Sequence, residues 1–388
     1  MMKLSKIRNC LWPMALALVV VACGGGGGGA GSPDPAPPPP PPPAAPQLST
    51  LRSDLVSPWG LAQLPDGQLL ITQRTGGLMR LAANGTGPIT AIGGVPTVVS
   101  AGQGGLLDVA LDPDFATSPW VYLSYSESGV GGVGTAVARG RLSGNALLDV
   151  TVIFRQSPKV SGTAHFGSRL VFGRDKSLYI TLGERNLGSP AQDLGQTLGK
   201  VVRVNRDSSI PTDNPSLGAS ALPGIWSYGH RNPQGAALHP TTGEIWVSEH
   251  GPQGGDEVNI VRAGANYGWP VKSYGCNYGA PVGDTCRIGD GVHAPTYVEP
   301  LTYWVPTSVA PAGLAFYTGA MFPEWQGQLF SGSLAGMALW RLQLSGNTVV
   351  SKEAMYGNLN ERFRDVRQAQ DGSILILTDS GKLMRLFR

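Results

Sequence analysis

The chain has 388 residues, of which 41% are apolar and 14% charged, and its formal net charge is +3. Lys3, Lys6 and Arg8 supply that excess from the first 22 positions, which hold no acidic residue, so the remaining side chains balance to zero. A neutral body without a block of Lys and Arg lacks the electrostatic footprint of a nucleic-acid partner, and none is expected.

Residues 1–22 read as an export signal: a basic start, then the 12-residue apolar run Leu11 to Ala22. That run is short of the about 20 residues a membrane-spanning helix needs. It ends Val20-Val21-Ala22-Cys23, the pattern of a lipoprotein signal, with ordinary cleavage beside an unrelated cysteine as the alternative. Residues 23–47 then form a tether, with unbroken glycine from Gly24 to Gly29 and unbroken proline from Pro37 to Pro43. Glycine gives a flexible coil and the proline run a stiff spacer of roughly 3.1 Å per residue, and neither buries a core. The expectation is a lipidated Cys23, a spacer, and a globular domain over 48–388. Gly24 after the cysteine favours the outer membrane, facing the periplasm. In that oxidising setting Cys276 and Cys286 are expected to pair, the alternative being two free thiols.

From residue 48 onward the sequence shows short β-rich runs punctuated by Gly, Pro, Asn and Asp, the pattern of an all-β fold. One unit, an apolar strand, a Pro/Asp/Gly turn and a second apolar strand, recurs six times. The copies lie at 61–81, 109–126, 169–184, 236–250, 314–333 and 366–386. They are spaced more widely than the roughly 40–45 residues of a minimal four-stranded blade, and the excess is assigned to loops. This predicts a six-bladed β-propeller of four-stranded antiparallel blades. The first and last copies end alike, GGLMRL and GKLMRL, so the N-terminal strand is expected to complete the C-terminal blade and close the ring.

Four loops carry more chemistry than turns require: AGQGGLLD at 101–108, GTAHFGSRL at 162–170, the group YGHRNPQG, SEHGPQGGDEVNI and GANYGWP within 228–270, and NERFRDV at 360–366. Arg231, Arg362 and Arg364 are fixed cations suited to carboxylates. Asn232 and Gln234 offer amides beside them, and His165 sits among small residues where an imidazole can be reached. Asp256, Glu257 and neighbouring carbonyls are hard oxygen donors fit for calcium. No HxxxH, HExxH or CxxC pairing suggests zinc, and no Gly-rich strand-to-helix turn suggests a dinucleotide. Together they sketch an anionic planar ligand clamped by arginines, a calcium ion and one histidine base.

In that order these loops resemble those of the soluble, pyrroloquinoline quinone (PQQ)-dependent aldose sugar dehydrogenases, relatives of soluble glucose dehydrogenase, from about Pro58 to the C-terminus. The resemblance implies a six-bladed propeller that oxidises the C1 hydroxyl of aldoses to lactones and passes electrons to an external acceptor. It implies His165 as the catalytic base and Gln103, Arg231, Asn232, Gln234, Arg362 and Arg364 as PQQ contacts, with Tyr278 as a further one. Gly251 and Pro252 would offer carbonyls to the calcium that also binds PQQ, and Glu257 and Tyr267 would bind a second, structural calcium. Two positions depart from glucose dehydrogenase: Ala335 or a neighbour stands where a lysine approaches the quinone, and Ala164 replaces an acidic residue before the base. Of the tryptophans, Trp304 is the candidate sugar platform, the others reading as blade packing. The rival readings are a calcium-dependent propeller lactonase or esterase and a non-catalytic surface-binding propeller.

Overall fold

Apolar runs too short for helices, bounded by turn residues, become strands, and the computed structural model of the protein holds little else. It describes residues 44–388. The signal segment, Cys23 and nearly all of the tether lie outside those residues. Residues 45–388 form one unit, and its helical turns, among the described residues, are four 3-10 segments of three or four residues.

Six four-stranded antiparallel sheets follow one another along the chain. Blade one runs Pro58–Gln63, Leu69–Gln73, Leu78–Leu81 and Thr90–Ile92, and blade two Leu106–Leu111, Trp120–Gly129, Gly132–Ser143 and Ala146–Arg155. Blade three is Leu170–Phe172, Leu178–Thr181, Lys200–Val204 and Ile225–Tyr228. Blade four is Pro233–Leu238, Ile245–Glu249, Asp256–Val261 and Thr302–Trp304, with a two-stranded insertion, Ser273–Cys276 and Arg287–Ile288, before its last strand. Blade five is Pro311–Phe316, Leu329–Ser333, Leu339–Ser345 and Thr348–Met355. Blade six takes Phe363–Gln368, Ile374–Thr378 and Leu383–Phe387 from the C-terminus and its outer strand, Gln47–Arg52, from the start of the domain. The expected closure is therefore present, with Gln47 opposite Phe387 and Leu48 opposite Leu386.

The apolar core is divided into wedges between neighbouring blades. Leu70 and Leu78 of blade one meet Val109 and Leu123 of blade two, and five further clusters fill the remaining interfaces round to Leu377 and Leu383 against Leu61 and Ile71. Each fully buried Leu or Ile contributes about 1.5–3 kcal/mol, so these wedges supply most of the cohesion of the ring. The axis is polar. Arg169, 1% exposed, donates from Nη1 to Asp108 Oδ1 at 3.0 Å and lies 3.1 Å from Asp365 Oδ1. Its Nε donates to the Gln234 carbonyl at 2.6 Å, and its guanidinium stacks 4.1 Å over the Trp59 ring. Asp365 accepts from the Leu61 amide at 2.9 Å, and Asp108 from the Leu170 amide, also 2.9 Å. One ionic knot thus ties the inner strands of five blades together.

Candidate active site

Antiparallel blades place the start of every inner strand and the end of every second strand on one face of the ring. Seven positions singled out in the sequence come from those two places. Gln103, His165, Arg231 and Arg362 precede the inner strands of blades two, three, four and six, Arg364 begins the last of these, and Gly251 and Pro252 follow the second strand of blade four. They meet around two adjoining cavities. The first, of about 470 Å³, is lined by His165, Arg231, Gly251, Pro252 and Tyr278. The second, of about 360 Å³, is lined by Gln234, Arg362, Arg364, Trp59, Arg74 and Asp379. Gln103, His250 and Ala310 belong to both walls.

His165 is held from three sides. Its backbone has φ of 52°, a left-handed conformation that a non-glycine residue adopts under constraint. Its amide donates to Gln103 Oε1 at 2.8 Å. Opposite it stands Gly183, where a Cβ would lie 2.1 Å from the His165 carbonyl, so a glycine is needed there. The ring Nδ1 is 2.8 Å from Glu184 Oε1. An ionised carboxylate only accepts, so Nδ1 carries the proton and, in the neutral ring, Nε2 is left as the free lone pair. Nε2 has no hydrogen-bond partner among the described residues. Burial pushes the His165 pKa below its usual value, Glu184 pulls against that, and the Arg231 cation adds to the fall. Glu184 is itself fixed by the amides of Leu187 and Gly188. Burial, the largest single influence, would raise its pKa, yet the hydrogen bond and charge of His165, the Gly188 amide and the Arg231 cation together outweigh it and the carboxyl stays below the ordinary range. The next residue, Arg185, stacks under Phe166 and donates to the carbonyls of Ala164 at 2.8 Å and Gly162 at 2.6 Å, clamping the loop that leads into His165.

The arginines differ in how they are held. Arg231, 4% exposed, donates from Nη1 to the His250 carbonyl at 3.3 Å and from Nη2 to the Tyr278 hydroxyl at 3.2 Å, while its Nε is buried without a partner. Arg364 is gripped by Asp379 at 2.8 and 3.1 Å and by Gln234 Oε1 at 2.9 Å. Arg362 shares Asp379, at 2.8 Å, and donates to the Leu334 carbonyl at 3.1 Å. Arg74, which the sequence reading passed over, donates to the Gly102 carbonyl and adds a cation to the second cavity. Ala335 lines the first cavity and brings no charge.

Like Glu184 and Asp379, His250 was not anticipated either. Its Nε2 donates to the Pro311 carbonyl at 3.0 Å, and burial, reinforced by the Arg231 cation, drives its pKa down to about 3. It therefore stays neutral at the floor shared by both cavities.

Several anticipated residues stand elsewhere. Asn232 is fully buried behind the wall, where Oδ1 accepts the Gly167 amide at 3.1 Å and Nδ2 has no partner. Asp256 does line the first cavity, but its carboxylate accepts from the amides of Gly251 and Ala310, both 2.7 Å, and from that of Val309, which makes it the clamp of two cavity loops. Burial lifts it to about 6 against the pull of those amides. Glu257 and Tyr267 lie away from the cavities. Glu257 accepts from Asn259 Nδ2 at 3.0 Å, and burial, with the negative charges of Glu249 and Glu299, raises its pKa well above normal. The Tyr267 hydroxyl is taken up by the Ile260 carbonyl and the Arg262 amide, and its ring stacks 4.5 Å from His230. Trp304 is 5% exposed and packs edge-on against Trp340, so it belongs to the wedge between blades four and five and offers no platform to a sugar. Tyr278, by contrast, is 71% exposed. Cys276 and Cys286 are joined by a disulfide, with Cα atoms 5.1 Å apart. Among the described residues no three His, Cys, Asp or Glu side chains converge to hold a metal.

This geometry agrees with the comparisons. Residues 55–385 match the family model described as glucose/sorbosone dehydrogenase. The aldose sugar dehydrogenase YliI of Escherichia coli is 43% identical over 349 residues, covering 88% of this chain and 93% of the relative. A solved glucose dehydrogenase superposes with a TM-score of 0.83 at 47% identity, over 87% of this chain and 99% of that one. The PQQ-bound aldose sugar dehydrogenase of Streptomyces coelicolor gives 0.71 at 30% identity, over 89% and 99%. A six-bladed ring, a cavity walled by guanidinium groups and a carboxylate-held histidine thus coincide with a match along nearly the whole propeller, and the chain belongs to the glucose/sorbosone dehydrogenase family of oxidoreductases.

Proposed function

We propose that the protein oxidises the C1 hydroxyl of aldose sugars to lactones, with PQQ and calcium held in the two joined cavities and His165 as the general base. The observation that carries this reading is the His165–Glu184 pair, whose unpartnered Nε2 belongs to a ring lining the same cavity as Arg231. PQQ is a planar tricarboxylate, and the donors suit it: Arg231, Arg362, Arg364 and Arg74 supply positive charge, and Arg231 Nε is a buried donor still lacking an acceptor. The carbonyls of Gly251 and Pro252 would hold calcium beside it, and buried Glu257, opposed by Glu249, suits a second cation near Tyr267. When bound, PQQ with its calcium supplies the acceptor for the sugar C1 hydride. The chain's part is to take the hydroxyl proton on Nε2 of His165, to stabilise the resulting imidazolium through Glu184, and to orient the ligand with the arginines.

Residues 1–22 and Cys23 support export and attachment by a lipid anchor at the outer membrane, so the electrons would leave to an acceptor on the periplasmic side. Labelling with palmitate, lost in a Cys23→Ala variant, tests that part. The catalytic reading is tested by adding PQQ and calcium to purified protein with an aldose and a dye acceptor. Dye reduction that needs both additions supports it. Lactone or ester hydrolysis without PQQ would replace it with the lactonase, and no turnover in either assay with the non-catalytic binder.

A further inference from the structure

The loop GPQGG, residues 251–255, touches the cavity with its backbone, and the arrangement above gives Gln253 no part. Gln253 makes four hydrogen bonds, all to one segment. Its amide donates to the Cys276 carbonyl at 3.0 Å and its carbonyl accepts the Cys276 amide at 3.0 Å. Its side chain continues the grip beyond that bridge. Nε2 donates to the Ala280 carbonyl at 3.1 Å, and Oε1 accepts the Gly279 amide at 3.2 Å. The approach is close because both strands carry glycine: a Cβ on Gly255 would lie 2.2 Å from the Gly275 nitrogen, and one on Gly275 2.3 Å from the Gly254 carbonyl oxygen.

What Gln253 grips is the loop closed by the Cys276–Cys286 disulfide, the segment that carries Tyr278. Tyr278 is 71% exposed, and its hydroxyl is held only by Arg231 Nη2, at 3.2 Å, among the described residues. With Val282 it lines the same cavity as His165, and Val282 also faces a second, neighbouring cavity of about 520 Å³. A half-exposed wall with one hydrogen bond of its own has no fixed place unless something fixes it, and the side chain that does so here is Gln253.

We propose that Gln253 is a positioning residue that sets the reach of the sugar cavity by holding the 276–286 loop, and Tyr278 with it, against Arg231. This rests on the sugar dehydrogenase reading above. The test compares Gln253→Ala and Gln253→Glu with the wild-type protein, each loaded with PQQ and calcium. Each side-chain hydrogen bond contributes about 1 kcal/mol net, so losing two should speed amide exchange in residues 274–286 by about tenfold or more in Q253A. The KM for aldose should rise by about tenfold while kcat falls by less than about twofold, because His165 keeps Glu184 and Arg362 and Arg364 keep Asp379. Q253E keeps the acceptor for the Gly279 amide and should fall between the two. Unchanged exchange in the loop would overturn the proposal, as would faster exchange with KM unmoved. A wild-type protein that turns over no sugar would instead overturn the reading beneath it and this one together.

Discussion

Nδ1 of His165 lies 2.8 Å from Oε1 of Glu184, and that contact decides which imidazole nitrogen can act as a base. Glu184→Gln keeps the shape and removes the charge that favours the imidazolium. It should lower kcat by about 10- to 100-fold, less than the roughly 10²- to 10⁴-fold expected for removing the base in His165→Ala. Steady-state kinetics with a dye acceptor measures this, and a fluorescence titration should show PQQ affinity unchanged in E184Q. Equal turnover in E184Q and wild type would remove Glu184 from the mechanism.

The same pair predicts a pH profile. The base works unprotonated, so kcat/KM falls as pH drops through the His165 pKa of the free enzyme. Burial sets that pKa below its ordinary value near 6.5, and Glu184 is the group that pulls it up. The acid limb should therefore lie below about pH 6.5 in the wild type. In E184Q it should move further down while the plateau falls. A limb that moved upward in E184Q would contradict the assignment.

The sequence made the ring legible because each blade repeats one strand pair, and the like endings GGLMRL and GKLMRL marked the closure that Gln47–Arg52 provides. At the site it exposed residues within distinctive loops, such as His165 in AHFGSRL and Arg231 in HRNPQG. It hid the residues that work singly at the ends of second strands. Arg74 follows LLITQ, His250 follows IWVSE and Asp379 follows ILILT, the same place in three repeats, and Glu184 lies one residue beyond that place after LYITLG. Superposing the repeats would have put the first three on the functional face with Glu184 beside them. The reading of Trp304 as a sugar platform failed for a different reason. A tryptophan beside prolines suggests an exposed loop, whereas Thr302–Trp304 is the outer strand of blade four and turns its indole into an inter-blade wedge.

Arg362 and Arg364 share Asp379 but should not matter equally. Arg364 is 8% exposed and also bonded to Gln234, so its charge acts with little screening on an anionic ligand. The Arg362 side chain is 45% exposed, and water weakens its field. Arg364→Ala should weaken PQQ binding by about 30-fold or more, in the range of a buried charge partner lost, and Arg362→Ala by less than about tenfold. Equilibrium titration of the apo-protein with PQQ at fixed calcium gives both numbers. The reverse order would mean that the cofactor carboxylates sit at the mouth of the cavity and not beside Gln234.

The axial knot should add measurably to the stability that the wedges supply. Arg169 is the nearer of two cations shared by Asp108 and Asp365, and both carboxylates are completely buried. Removing it leaves Arg367, a longer contact at 3.3 Å from Asp108 and 3.4 Å from Asp365, as their remaining counter-ion. Truncating one partner of a buried ion network costs about 3–5 kcal/mol because the charges left behind keep their burial and lose their pairing. Arg169→Ala should therefore lower the guanidinium midpoint strongly. Arg141→Ala, which breaks a still shorter pair, 2.7 Å, with Asp149 on the surface, should scarcely move it. The two midpoints, measured side by side, separate a knot that fastens the inner strands from a shorter contact that water screens. Equal midpoints would show that the wedges between the blades hold the ring without help from its axis.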